Sequence, residues 1–222
     1  MKILEKEIKA VIFDMDGTLI DSTGIWQEID ETFFARRNMV LPSDYSQKIV
    51  HLGLRQAAIY TKDTYNLKEN VEQIIEEWRE MSTEMYHNVV ELKPHALSLL
   101  DIFKKNNIKM AIATANDEQL YLPCLKRLGI EHYFDFVADV NHVKEGKNSA
   151  KIYLYLAEKL KIKPENIMVI EDMPTCIKTA FENGFITIAV ADPASKNFEE
   201  EKRSNSDLFV DNFEELINLL QL

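Results

Sequence analysis

The chain has 222 residues, 46% hydrophobic and 28% charged, with only 6 Gly and 6 Pro, a globular balance that excludes collagen-like and low-complexity readings. Thirty-seven Asp and Glu against 26 Lys and Arg leave a net charge of −11, so the surface repels nucleic acid. No apolar run reaches the roughly 18 residues of a membrane span. The N-terminus, Met1-Lys2-Ile3-Leu4-Glu5-Lys6-Glu7, alternates charge where a secretion signal would be apolar. Cys124 and Cys176 lie far apart and the five histidines make no H-x-x-x-H pair, so neither a disulfide framework nor a zinc clip is indicated. The expectation is a cytoplasmic protein, monomeric by default, with neither nucleic acid nor membrane as partner.

The first strong element is Ala10-Val11-Ile12-Phe13, a short apolar run typical of a strand buried on both faces. Residues 22–91 then read as almost wholly helical. Ile25, Trp26, Ile29, Phe33 and Phe34 recur at helical spacing, as do Ile74, Ile75, Trp78, Met81 and Met85. Pro94 ends this pattern. Helices over 96–105, 118–128, 150–160, 175–182 and 213–220 then alternate with strands over 110–113, 134–138, 167–170 and 186–190, and Gly129 and Asn183-Gly184 stop two of the helices. This alternation predicts an α/β protein with a doubly wound, Rossmann-like parallel sheet. The helical block is too long for a loop and holds enough aromatics for a small core of its own. It reads as an inserted all-helical domain, giving a core of residues 1–21 and 92–222 and an insert of 22–91. The charge run Glu199-Glu200-Glu201-Lys202-Arg203 reads as solvated surface.

Two acidic clusters follow buried strands: Asp14-Met15-Asp16-Gly17-Thr18 after Phe13, and Glu171-Asp172 after Ile170. Ligands of open parallel sheets bind beyond the carboxyl ends of the strands, so both clusters, and Thr114 after Ala113, belong on one rim. At an effective dielectric near 20, two like charges about 4 Å apart repel by roughly 4 kcal/mol. Such a cluster needs a cation or raised pKa values, and a hard oxygen set that also receives phosphate suits Mg²⁺. Asp14, fixed by the strand before it, is placed as a nucleophile. Asp16, beyond it, is placed as general acid and then base. Thr114 and Lys147 would offer a hydroxyl and an ammonium to phosphoryl oxygens.

Asp14-Met15-Asp16-Gly17-Thr18-Leu19-Ile20-Asp21-Ser22 resembles the first signature of the haloacid dehalogenase superfamily. Thr114, Lys147 and Ile170-Glu171-Asp172 are similar to its other three signatures, in order, and the insert resembles the cap of the β-phosphoglucomutase-like branch. The resemblance implies an aspartyl-phosphate on Asp14. It also implies Mg²⁺ held by Asp14, the Asp16 main-chain carbonyl and Asp172, with Glu171 a ligand directly or through water. The implied activity is a phosphatase for a small phosphorylated metabolite. Asn116 either reaches the phosphate or caps a helix. Trp26 and Arg55 are candidate substrate contacts.

Some positions depart from the pattern. Asn148 follows Lys147 where the family usually has Pro, and Lys144 and Lys151 compete for the role of Lys147. Trp26 stands where the sugar-phosphate mutases of this branch carry His, and Leu52 and Gln56 replace their basic cap residues. Hydrolysis is therefore preferred to a mutase, and a non-catalytic phospho-accepting regulator comes third.

Overall fold

The computed structural model describes residues 1–220. A short antiparallel hairpin opens the chain, with β1 (Lys2–Ile3) paired to β2 (Lys6–Glu7). Its turn residues Leu4 and Glu5 both have positive φ, 49° and 60°, the conformation a two-residue hairpin turn demands. Neither is a residue type that advertises such a turn, and the sequence reading has no strands here.

The remaining strands are β3 (Ala10–Phe13), β4 (Lys109–Thr114), β5 (Phe136–Asp139), β6 (Ile167–Glu171), β7 (Ile186–Val190) and β8 (Leu208–Val210). They form one parallel sheet in the order β5-β4-β3-β6-β7-β8. Successive residues of a strand face opposite sides. Val11 and Phe13, with Met168 and Ile170, enter the core on one face, while Ala10 and Ile12, with Ile167 and Val169, enter the core on the other. Burial on both sides is why these strands read as unbroken apolar runs. The covering helices are α5 (Ala96–Lys105), α6 (Glu118–Arg127), α7 (Val140–Val143), α8 (Lys151–Leu160), α9 (Pro174–Glu182), α10 (Glu199–Ser204) and α11 (Phe213–Leu219).

The edge strand β8 is absent from the sequence reading. It is three residues long, too short to show a pattern. Residues 199–203, read as solvated, form most of α10. Lys202 is fully buried there, donating to the Val190 carbonyl at 2.9 Å and the Ser195 hydroxyl at 2.8 Å. One side of that charge run packs inward, and neutral oxygens solvate the ammonium in place of water.

The helical stretch 22–91 resolves into α1 (Thr23–Ala35), α2 (Tyr45–Ile49), α3 (Leu54–Tyr65) and α4 (Val71–Asn88). Asn66 closes α3 in the left-handed conformation. Asn70 and Gln73 cap α4 reciprocally through side-chain to backbone bonds. The block has its own core of Ile29, Phe33, Phe34, Tyr45, Ala57, Ala58, Ile74, Ile75 and Trp78. The chain leaves and re-enters the sheet layer at one place: Ile20 bridges Leu92, Asp21 N–H donates to the Glu91 carbonyl at 2.9 Å, and Lys93 N–H to that of Leu19 at 3.0 Å. Among the described residues no helix is long and apolar enough to cross a membrane.

Phe34 is the centre of the insert's aromatic core, edge-on to Tyr45 at 4.9 Å and Tyr65 at 5.0 Å. Phe34→Ala should lower the unfolding free energy by about 3–5 kcal/mol through the cavity it leaves, read as a shifted midpoint in urea denaturation.

Candidate active site

Register fixes the site. Phe13 pairs with Ile170 on one side and Ile112 on the other, so β3, β4 and β6 end together. The chain runs from β3 to β4 on one flank, and β6 lies on the other, which makes the end of β3 a topological switch point. The Asp14 N–H extends the pairing by donating to the Ile170 carbonyl at 2.9 Å. Asp14 thus inherits the rigidity of the sheet. The chain then reverses tightly: Leu19 and Ile20 both donate to the Met15 carbonyl at 2.9 Å. Gly17, at φ 76°, supplies the left-handed residue this reversal needs.

Lys147 lies between two carboxylates. Its ammonium, 3% exposed, donates to Asp14 Oδ1 and, at 2.6 Å, to Glu171 Oε2. Glu171 also accepts the Tyr153 hydroxyl and the Met173 N–H, each at 3.2 Å. Asp172 accepts the Thr18 hydroxyl at 3.2 Å. Of the competing lysines, Lys151 is exposed and pairs with Glu145. Burial comes first in raising the Asp14 carboxyl to about 7; Glu171 adds to this and Lys147 opposes it. Burial likewise pushes Asp172 well above the ordinary carboxylate range, helped by Glu171 and Asp14. Burial works against the Lys147 ammonium too, yet Asp14 and Glu171 hold it well above the usual lysine value.

Asp16 turns to a different set of partners. The Ser22 hydroxyl donates to Oδ1 at 2.6 Å, the Tyr86 hydroxyl donates to the same oxygen, and Asn116 Nδ2 donates to Oδ2 at 2.6 Å. Burial raises its pKa, and the bonds from Ser22 and Tyr86 restrain the rise. The Tyr86 hydroxyl is itself held well above its usual value by burial and by Asp16, so it stays protonated as a donor. Two carboxyls two residues apart therefore have separate environments, one against an ammonium and one among neutral donors.

Asp14, Glu171 and Asp172 each offer a carboxylate oxygen, all within 4.8 Å of one another and all buried. Three hard oxygen donors this close, with one ammonium beside them, fit a divalent cation.

Above this floor is a cavity of about 680 Å³, bounded below by Asp14, Asp16, Asn116, Lys147, Glu171 and Asp172 and above by the helical insert. Of the candidates from the sequence, Asp14, Asp16, Asn116, Lys147, Glu171, Asp172 and Trp26 line it. Thr114 is fully buried at the end of β4, where its hydroxyl accepts the Asn116 N–H at 3.0 Å, and it does not reach the wall. The Asn116 side chain is spent on Asp16 and, at 3.2 Å, on the Tyr86 hydroxyl. Arg55 needs correction as a substrate contact. Ala57 and Ala58 turn the inner side of α3 into the insert core, which leaves Arg55 exposed, paired with Glu72 at 2.8 Å and off the cavity. Tyr86 and Ser22 escaped the sequence reading as site residues. Ser22 ends the first signature and had a signal; Tyr86 lies seventy positions from its partner with none.

The insert is tied down over the floor. Lys147 N–H donates to the His51 carbonyl at 2.8 Å. At Gly146 a Cβ would stand 2.6 Å from that same carbonyl oxygen, so only glycine admits the contact without displacement.

A profile of the haloacid dehalogenase-like hydrolases matches residues 11–190, a span that contains every residue of the cavity floor. The chain belongs to that family. It is similar to a phosphorylated carbohydrates phosphatase of Thermotoga maritima, 28% identical over 177 residues that make up 80% of this chain and 82% of that one. The fold is that of CbbY from Rhodobacter sphaeroides, solved in complex with phosphate (TM-score 0.83, 22% identity, 97% of this chain and all of that one). It is also that of a β-phosphoglucomutase from Clostridium difficile (TM-score 0.78, 22% identity, 96% of each chain). Membership makes the doubly wound sheet with its helical cap, and the hydrolase character, properties of this chain.

A carboxyl whose pKa is raised in the folded state stabilises the fold fully below its ordinary range near 4, and that contribution is lost as pH rises through the raised value. Asp14 and Asp172 both have this sign. In a chelator the melting temperature should therefore fall between about pH 5 and pH 8. Mg²⁺ at the upper end should restore it, and Asp172→Asn should abolish the restoration, all read by differential scanning fluorimetry.

Proposed function

We propose that the protein is a Mg²⁺-dependent phosphomonoester hydrolase for a small phosphorylated metabolite, acting through an aspartyl-phosphate on Asp14. The observation that carries this reading is the pairing of two differently held carboxyls on one cavity: Asp14 against Lys147, and Asp16 among Ser22, Tyr86 and Asn116. The similarity to a phosphatase of phosphorylated carbohydrates supports it.

In this reading residues 22–91 act as the cap and close the cavity against water. An Asp14 carboxylate oxygen attacks phosphorus, the ester P–O bond breaks, and the Asp16 carboxylic acid gives its proton to the departing oxygen. Asp16, now ionised, takes a proton from water as that water attacks the same phosphorus. The bond from phosphorus to Asp14 breaks and inorganic phosphate leaves. Lys147 balances the charge that moves onto the phosphoryl oxygens. Asp14, Asp172 and Glu171, with the Asp16 main-chain carbonyl, would hold Mg²⁺, which would offset the negative charge that otherwise repels a phosphate dianion. The donors on Asp16 fix its aim, so proton transfer needs no search.

Hydrolysis is favoured over a sugar-phosphate mutase. A mutase must grip a second phosphate, and among the described residues the only Lys or Arg lining the cavity is Lys147, on its floor. A phospho-accepting regulator would have no use for a chamber of this size beneath a helical insert.

Asp14→Asn should abolish hydrolysis of p-nitrophenyl phosphate with an unchanged circular dichroism spectrum; retained turnover would refute the scheme. Asp16→Asn should lower kcat by about 10²–10⁴, the usual worth of a positioned proton donor, measured by phosphate release from an alkyl phosphate whose leaving group needs that proton.

A further inference from the structure

Among the described residues, the cap wall of the cavity carries charge of one sign and no cation to pair with it. Of the charged residues lining the chamber, Asp14, Asp16, Glu171, Asp172 and Lys147 belong to the floor. The other two are Asp30 and Glu31, consecutive on α1. Asp30 is only 4% exposed, and its side-chain hydrogen bond comes from a neutral group, the Ser46 hydroxyl at 3.1 Å. A buried carboxylate without a cation is costly, and burial raises this one to about 7. The insert's arginines are committed elsewhere, Arg36 and Arg37 to Glu77, Arg55 to Glu72 and Arg79 to Asp117.

Independent features mark the same wall as a recognition surface. Trp78 is 3% exposed, lines the cavity, and its indole N–H has no acceptor. That nitrogen is itself shielded from solvent, so what Trp78 offers the chamber is the apolar surface of its ring. Trp26 lines the cavity as well, so two indoles accompany the two carboxylates. Carboxylates with aromatic rings around an apolar chamber are the usual means of holding an organic ammonium.

We propose that the leaving group of the substrate carries an ammonium, recognised by Asp30 beside Trp26 and Trp78, and carries no second anionic group. The substrate class is then an amino-substituted phosphoester, such as a phosphorylated amino sugar or amino alcohol. This deepens the phosphatase reading and rests on it. An ammonium entering the cap wall converts an uncompensated carboxylate into an ion pair screened from water. A carboxylate or second phosphate there would meet the buried Asp30 carboxylate with no cation beside it, which is a selection by repulsion as much as by attraction.

The test compares glucosamine 6-phosphate with glucose 6-phosphate, identical but for ammonium against hydroxyl, alongside phosphoglycolate and fructose 1,6-bisphosphate, with p-nitrophenyl phosphate as reference. The expected result is a kcat/KM for the amine at least about tenfold above that for its hydroxyl counterpart, the worth of one charged hydrogen bond, and the two doubly anionic substrates poorest of all. In Asp30→Asn the amine-to-hydroxyl ratio should fall toward one. This ratio is taken within a single protein, so loss of folded material does not move it. Ser46→Ala, which leaves the carboxylate in place, should keep the preference. Equal rates for amine and hydroxyl, a preference for either doubly anionic substrate, or an unchanged ratio in Asp30→Asn would overturn the inference. If p-nitrophenyl phosphate is hydrolysed and the amine preference is absent, only this inference fails. If no phosphoester is hydrolysed with Mg²⁺ present, the phosphatase reading fails beneath it.

Discussion

The site depends on a surplus of buried negative charge held by one ammonium. Lys147 bonds Asp14 and Glu171 simultaneously, with Asp172 alongside. The ammonium has no water to fall back on and is held by the carboxylates, which in turn are kept from full mutual repulsion by it. Neither side of this arrangement is stable alone. Tyr153, Thr18 and the Met173 amide supply further bonds to Glu171 and Asp172, so the acidic groups are spaced and oriented before any ligand arrives.

The fold converts that local tension into a usable surface. Parallel strands of matched register end at one level, and the connections diverge there, so side chains from residues 14, 114 and 171 start from neighbouring positions despite their distance in sequence. The sheet, buried on both faces, offers nowhere for these carboxyls to move. The helical insert has a core of its own and contributes the opposite wall, and it also lends Tyr86 to the floor, where that hydroxyl donates to Asp16. The two layers therefore share the site: one holds Asp14, and both hold Asp16.

What could be read in the sequence follows the range of the interactions. Asp14, Asp16, Glu171 and Asp172 stand directly after strands whose apolar runs are unmistakable, so local pattern placed them on one rim. The strand–helix alternation was legible for the same reason, because burial on both faces writes itself into Val, Ile and Ala. Tyr86 was not legible, since nothing near it in sequence distinguishes it from the other tyrosines on helices. Arg55 misled because its charge suggested a ligand, while the side of α3 it occupies is decided by Ala57 and Ala58 packing inward. Lys202 misled in the opposite direction: a charge among charges looked solvated, but the two acceptors that accommodate it come from β7 and the turn following it. Thr114 was located at the correct strand end, yet its hydroxyl is engaged by a backbone amide two residues away.

The bond from the Lys147 amide to the His51 carbonyl spans the two layers, and Gly146 exists in the form it does to let them touch. The residue whose ammonium bonds Asp14 is thus joined, through its own main chain, to the helical insert. A displacement of the helical insert away from the sheet would break that link and act on the loop bearing the lysine. That contact therefore makes the placement of the Lys147 ammonium depend on the layer above it as well as on the carboxylates beside it.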